Sequence, residues 1–479
     1  MDDLCNYIGG RFITHSSDQW LDNIEPATGA HICRVPLSDS SDVDAAVAAA
    51  RSAHPAWGAL SHSERADWLD RIADALEARY EDVAALESRD TGKPISLARD
   101  VDAQRSVSNF RFFAGMLREH EEEVFEMVSA TNYVVNKPVG VGALITPWNL
   151  PLYLLSWKVA PAIGMGNTVV CKPSELTPMT ADLLMRVIDE IGLPAGVVNL
   201  VHGDGVGAGA PLVAHSDVNL VSFTGGTETG EKVAASAAPA FKKLSLELGG
   251  KNASIVFADC DMESTVAGVV QAGFLNQGQV CLCGSRVLIE DSIYDEFRDR
   301  FVDAVEAMRV GDPSDEVTDL GALISEQHLE KVQSYVEMAK QEGGNLLTGG
   351  TPCMPAGFEH GNWMAPTVIE GLSPNSRCST EEIFGPVVTL HPFSSEEEAV
   401  AIANNTRYGL AGSVWTGDLE KGKQVSEAID TGMVWVNTWL HRDLRVPFGG
   451  VKDSGVGREG GKWSLGFFSE AMNVCVKHD

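Results

Sequence analysis

The sequence predicts an α/β fold of two lobes, each built on a mainly parallel sheet. Three observations carry this. The chain has 479 residues, and at roughly 150 residues per domain that is room for about two to four domains. From about residue 139, short apolar segments alternate with helical patterns, which is how βαβ units read. The alternation pauses at Gly249 and Gly250 and then resumes, which places a boundary between two lobes there.

The elements follow in order. Residues 42–53 (DVDAAVAAARSA) and 64–89 read as helices, with acids near their starts and apolar residues at helical spacing. The acidic run 119–123 reads as a solvated face or turn. Residues 139–146 form an apolar, glycine-punctuated strand. The stretch 139–157 carries no charge over almost a membrane-spanning length, but Gly140, Gly142, Pro147, Asn149 and Pro151 interrupt it. A buried strand, a loop and then a helix fit it better than a membrane span. Residues 167–172 (NTVVCK) are a second strand, and 177–191 a helix stopped by Gly192 and Pro194. Further strands fall at 197–201, 219–224, 253–257, 286–289 and 432–436. A terminal strand at 471–476 could add to a sheet edge, on another subunit included.

Composition excludes several function classes. The formal net charge is −31, from 36 basic and 67 acidic residues, whereas nucleic acid or an anionic membrane calls for a basic face. The N-terminal MDDLCNYIGG lacks the basic and apolar regions of a signal peptide. Nine cysteines are scattered with no CxxC pair and no His/Cys cluster at zinc spacing, so no metal is expected. Free thiols and no leader lead us to expect a cytoplasmic protein.

Four segments hold residue types that chemistry needs. Residues 274–286 (FLNQGQVCLCGSR) surround Cys281 with small, polar and glycine residues, as in a loop that exposes a thiol. A free cysteine is more often an inert small hydrophobe, and a nucleophile needs a base and oxyanion donors. In 244–252 (LSLELGGKN), Glu247 lies between Leu246 and Leu248. It is either salt-bridged to Lys251 or Lys243, or a general base whose proton affinity is raised by apolar surroundings. In 145–151 (ITPWNLP), Asn149 ends a buried strand, where it is either a turn residue or an amide donor to an oxyanion. Residues 223–230 (FTGGTETG) follow a strand and open a helix, where glycines let a backbone approach a pyrophosphate. This is not GxGxxG, and Gly-rich turns are common.

Taken in this order and spacing, the four segments resemble the aldehyde dehydrogenase superfamily. The resemblance covers essentially the whole chain, through 26–29 (PATG), 90–94 (DTGKP), 172–178 (KPSELTP), 381–387 (EEIFGPV) and 447–458 (PFGGVKDSGVGR). It implies a non-phosphorylating, NAD-dependent oxidation. Cys281 attacks the aldehyde carbon, Asn149 and the Cys281 backbone N–H hold the oxyanion, and hydride leaves to form a thioester that Glu247 hydrolyses through water. Glu459 assists the later proton relay. For NAD, the resemblance implies Lys172 and Glu175 at the adenosine ribose, and Gly225 and Gly230 bordering the pyrophosphate. Glu382 and Phe384 fall at the nicotinamide riboside, and Trp148 and Lys158 at cofactor-side and supporting positions. Gly226 departs from the many relatives with Ser there, so the backbone is expected to serve instead. The implied architecture is a Rossmann-like NAD-binding lobe (1–117 and 139–248), an α/β catalytic lobe (249–449) and a small β oligomerisation arm (118–138 and 466–479) that makes homodimers or homotetramers.

Two arginines set the expected substrate. Arg105 (in DAQRSVSNFRFFAG) and Arg442 (in WLHRDLRVP) fall where many relatives line the substrate tunnel with apolar residues. An arginine fork suits a carboxylate, and the alternative is an ordinary ion pair in an acidic protein. These segments resemble the 2-aminomuconate and 2-hydroxymuconate semialdehyde dehydrogenases of aromatic-ring degradation. Leu150, Trp157, Val280 and Leu282 are expected as apolar tunnel walls. Competing readings are a broad, betaine or aliphatic aldehyde dehydrogenase, and a non-catalytic relative. The second would be expected to lose Cys281 or Glu247, and both are present. An acyl-transferring relative would be expected to dispense with Glu247.

Overall fold

The protein is described here from a computed structural model covering residues 3–14 and 19–478. The helix expected at 42–53 spans Ser40–Gly58 and is opened by a reciprocal capping box between Asp39 and Asp42. The single helix expected at 64–89 is two, His62–Glu77 and Tyr80–Thr91. The break lies at Arg79, whose backbone leaves helical geometry (φ −116°, ψ 25°). Both helices bury an apolar face, Leu69, Ile72 and Leu76 on one and Val83 and Ala84 on the other. The apolar spacing therefore runs on across a turn that carries no glycine or proline.

The first sheet has five parallel strands in the order Val198–Leu200, Thr168–Lys172, Val141–Ile145, Leu220–Thr224 and Lys243–Glu247. In chain order this is 3-2-1-4-5, the dinucleotide-binding arrangement. Its direction of winding reverses beside Val141–Ile145, the switch point at which open α/β sheets hold ligands. Strand residues face two cores. Leu144, Val169 and Cys171 pack with Phe110, Phe113 and Leu155, whereas Ala143, Ile145 and Val170 pack with Val47, Val221 and Phe223. Burial on both faces explains why these strands read as unbroken apolar runs.

Beyond Gly249 and Gly250 the chain enters a second sheet, in the order Asn345–Thr348, Thr367–Glu370, Val387–Phe393, Arg286–Glu290, Ala253–Val256, Ala411–Trp415, Met433–Val436. Only Asn345–Thr348 runs antiparallel. The chain then returns, and Gly455–Val456 pairs with the far edge of the first sheet beside Glu247. A third, antiparallel sheet joins Glu123–Glu126, Ala130–Pro138 and Ser469–Lys477. The acidic run 119–123 is a largely solvated turn into this sheet. The stretch 139–157 is a strand, a loop and a helix, and no helix among the described residues is long and apolar enough to cross a membrane.

Candidate active site

At the carboxyl ends of the first sheet lies a cavity of about 730 Å³, which reaches across to the second lobe. The first lobe supplies Trp148, Asn149 and Leu150 after Val141–Ile145, Lys172 and Glu175 after Thr168–Lys172, Gly225 and Gly226 after Leu220–Thr224, and Glu247. The second supplies Val280, Cys281, Leu282, Glu382, Phe384 and Arg442. Residues separated by up to 351 positions of chain, Leu97 to Phe448, thus share one site.

Cys281 follows the helix Met262–Phe274 through a tight turn in which Asn276 and Gln277 hold left-handed φ of 54° and 55°. The Asn252 amide anchors the segment by donating to the carbonyls of Cys281 (2.8 Å) and Cys283 (2.9 Å). Burial pushes the Cys281 thiol up, reinforced by the carboxylates of Glu382 and Glu247 and opposed by Arg442. Cys283 is buried in the core of this lobe. One Asn149 amide hydrogen is committed to the carbonyl of Gln279 (2.9 Å), two residues before Cys281. Neither oxygen of Glu247 has a hydrogen-bond partner among the described residues, although the residue is only 4% exposed. The salt bridge to Lys251 or Lys243 is therefore not formed. Gly449 makes room for this carboxylate, since a Cβ there would sit 2.8 Å from Glu247 Oε1. Burial raises the proton affinity of Glu247 well above the ordinary range, and Glu459 adds to the effect. Glu459 itself stands outside the cavity lining, in a buried pair with Lys158 (2.8 Å), whose ammonium also donates to Ser222 (2.8 Å).

Lys172 and Glu175 form an ion pair (2.9 Å) on the cavity wall. Gly226 immediately precedes the helix Thr227–Ala237, and its missing side chain opens onto free space. Gly230 does not line the cavity. A Cβ there would fall 2.5 Å from Leu248, so this glycine permits close packing of the helix. Glu382 accepts from the N–H of Gly250 (2.8 Å). Phe384 holds φ of +64° and sits edge-on to Trp148. His328, which the sequence reading missed, meets the Phe384 carbonyl at 2.6 Å and also lines the cavity.

The arginines differ. Arg442 lines the cavity, with one guanidinium nitrogen 3.0 Å from the Tyr153 hydroxyl and its guanidinium carbon 4.2 Å from the centre of the Phe448 ring. Arg105, in the first turn of Gln104–Arg118, is not a lining residue; its guanidinium carbon lies 5.7 Å from the ring of Tyr153, which does line the cavity. Neither has a carboxylate partner among the described residues. Trp157 is 2% exposed and packs on Phe113, so it backs Arg442 from the core (5.7 Å) rather than forming a tunnel wall. Tyr153, Leu154, Leu97 and Val101 also line the cavity. Tyr153, two residues past ITPWNLP, carried no pattern of its own.

Comparison with known proteins follows the same lines. The chain is 48% identical over 480 residues to the 2-aminomuconic semialdehyde dehydrogenase of Bos taurus, covering 99% of this chain and 98% of the relative. It is 47% identical to the 2-hydroxymuconic semialdehyde dehydrogenase of Pseudomonas sp. (strain CF600), covering both in full. The crystal structure of PnpE from Pseudomonas sp. WBC-3, also solved in complex with nicotinamide adenine dinucleotide, matches with a TM-score of 0.97 at 42% identity, over 100% of this chain and 98% of that one. A model described as the aldehyde dehydrogenase family matches residues 12–474, and the chain belongs to that family, oxidoreductases that act on aldehydes.

Proposed function

We propose that this enzyme oxidises a carboxylate-bearing semialdehyde of the muconate type to the corresponding diacid, with NAD as hydride acceptor. The observation that carries the substrate class is Arg442, a cavity-lining guanidinium whose polar partner is a neutral phenol in a chain of net charge −31. Relatives named for muconic semialdehydes, at 47–48% identity, support the same class.

The residues present fit NAD. The N-terminus of Thr227–Ala237, opened by Gly225 and Gly226, offers backbone donors and dipole to a pyrophosphate. The hydroxyls of Thr146 and Thr224, in the same wall, have no hydrogen-bond partner among the described residues. Glu175, with Lys172, would meet the hydroxyls of the adenosine ribose, and Glu382 and Phe384 the nicotinamide riboside. NAD supplies the hydride acceptor when bound. The chain does the rest. The Cys281 sulfur adds to the aldehyde carbon while the second Asn149 N–H and the Cys281 N–H hold the oxyanion. Glu247 takes a proton from water, which then cleaves the thioester. Apolar surroundings raise its proton affinity and so make it a stronger base than a solvated glutamate. Leu150, Val280 and Leu282 flank the chain of the substrate, and Arg442 grips its far carboxylate, with Arg105 acting through Tyr153.

We assign residues 1–117 and 139–248 to the NAD-binding lobe, 249–449 to the catalytic lobe, and 118–138 with 466–479 to an oligomerisation arm. The strand Ser469–Lys477 has one free edge, and the arm exposes Val124, Phe125, Met127 and Val128. These features favour pairing with a second subunit. The deciding experiment follows reduced cofactor with purified enzyme on 2-hydroxymuconate semialdehyde, hexanal and betaine aldehyde. The reading requires the highest kcat/KM on the first, and a clear preference for either of the others refutes it.

A further inference from the structure

Beneath the loop that carries Asn149 lies a group of fully buried ionisable side chains that the reaction as derived does not use. Lys93 and Asp102 are both 0% exposed and pair at 2.7 Å. The Lys93 ammonium also donates to the main-chain carbonyl of Asn149 at 2.9 Å. The Asn276 amide reaches the same carbonyl at 3.2 Å. Glu87, also 0% exposed, accepts from the N–H of Leu152 (2.8 Å) and the hydroxyl of Thr180 (2.9 Å), and so holds the first turn of the helix that begins at Pro151. Asp102 comes from Ala98–Ala103, a widened helical segment of the kind that often marks functional sites. Its neighbour Val101 lines the cavity.

Burying a lysine–carboxylate pair carries a desolvation cost that their attraction must repay, and an apolar pair of equal volume would stabilise the fold as well or better. The pair therefore asks for a reason beyond stability, and its third bond supplies one. We propose that Lys93, pinned by Asp102, is a positioning residue for the oxyanion site: its grip on the Asn149 carbonyl fixes the backbone from which the Asn149 amide projects. Glu87 fixes the other flank of that backbone at Leu152. With the carbonyl held by a cation on one side and one amide hydrogen held by Gln279 on the other, the second amide hydrogen keeps a single direction. An oxyanion donor works only when preorganised at the place where charge develops. The proposal rests on the reading of Asn149 as that donor.

The test is a double-mutant cycle on the pre-steady-state burst of reduced cofactor, with saturating NAD and glutarate semialdehyde as the probe. Removing an oxyanion donor costs about 100- to 1,000-fold, so Asn149→Ala sets the scale. Lys93→Met/Asp102→Leu removes both charges of the pair together. It should slow the burst by about 10- to 100-fold while NAD affinity, measured by fluorescence quenching, stays within about twofold. In the Asn149→Ala background the same pair should cost almost nothing more, because nothing remains to be positioned. Should the double variant fail to fold, Asp102→Asn, which keeps the shape and frees the lysine, enters the same cycle. Equal losses with and without Asn149, or a burst unchanged by loosening Lys93, overturn the proposal. An unchanged burst in Asn149→Ala alone instead overturns the oxyanion reading beneath it.

Discussion

Replacing Arg442 by methionine keeps the length and the packing on Phe448 and Trp157 but removes the charge and the donor to Tyr153. If Arg442 grips a substrate carboxylate, the variant loses a charge-assisted hydrogen bond, about 1.5–3 kcal/mol. That is roughly 10- to 150-fold in kcat/KM. A second effect must be separated from this one. Arg442 favours the ionised forms of Glu247 and Cys281, so without it both hold their protons to higher pH. Every substrate should therefore slow at neutral pH and recover as the pH rises. The carboxylate-binding loss has no such recovery, because arginine and the substrate carboxylate keep their charges throughout. The assay is kcat/KM from pH 6 to pH 10, as rough bounds for carboxylate and thiol titration, for 2-hydroxymuconate semialdehyde and hexanal. The semialdehyde should remain depressed at the alkaline end while hexanal returns to the parent rate. Parallel curves for the two substrates would show that Arg442 acts only on the site's proton affinities or its packing.

Cys281→Ala should abolish aldehyde oxidation with NAD binding intact, as isothermal titration would register, whereas Cys283→Ser, deep in the core, should alter stability more than turnover. Glu247→Gln should leave a burst of reduced cofactor followed by a steady state slowed by about 100-fold or more, within the usual reach of general base catalysis, with the thioester detectable by mass. In the parent enzyme deacylation should rise with pH, since the raised proton affinity of Glu247 leaves less of the base form at neutral pH. Glu175→Gln should improve kcat/KM for NADP relative to NAD, because the amide no longer repels a 2′-phosphate. Stability should fall with rising pH through Asp90, a 1%-exposed carboxyl that burial raises to about 7. The folded chain binds this proton more tightly than the unfolded one, so the stabilisation is complete below about pH 4 and lost as the pH passes 7. Asp90→Asn, which never ionises, should flatten Tm against pH over that window, and an unaltered slope would assign the dependence to other groups such as Glu87.

What the sequence displayed and what it hid divide along physical lines. The strands of the first sheet were legible because burial on both faces leaves unbroken apolar runs between glycines and prolines. Only their ends moved, as at Val198–Leu200 within 197–201. The split between His62–Glu77 and Tyr80–Thr91 was hidden because the turn at Arg79 uses ordinary residues. Cys281, Glu247 and Asn149 could be picked out because each is chemically out of place in its segment, a thiol among glycines or a carboxylate among leucines. Glu247 meets neither neighbouring lysine, since its strand aims the carboxylate toward Gly449.

The residues that hold this triad in place were the least visible, and the reason is geometric. Lys93, Asp102 and Glu87 lie within sixteen positions of one another, yet what they grip lies far along the chain, Asn149 being 56 residues from Lys93 and Leu152 being 65 residues from Glu87. Nothing in the period or composition of residues 87–102 records those contacts, which exist only once the fold brings Glu87 to the N–H of Leu152 and Lys93 to the carbonyl of Asn149. Arg105 and Trp157 fail in the opposite sense. Both sit in segments that border the site, but a helix carries neighbours in sequence to different faces. Gln104–Arg118 turns Phe110 and Phe113 into the core and leaves Arg105 partly exposed, while Pro151–Gly164 gives Tyr153 to the cavity and Trp157 to the core behind it. Proximity in sequence therefore located the wall of the site, and helical phase decided which side chains became its surface.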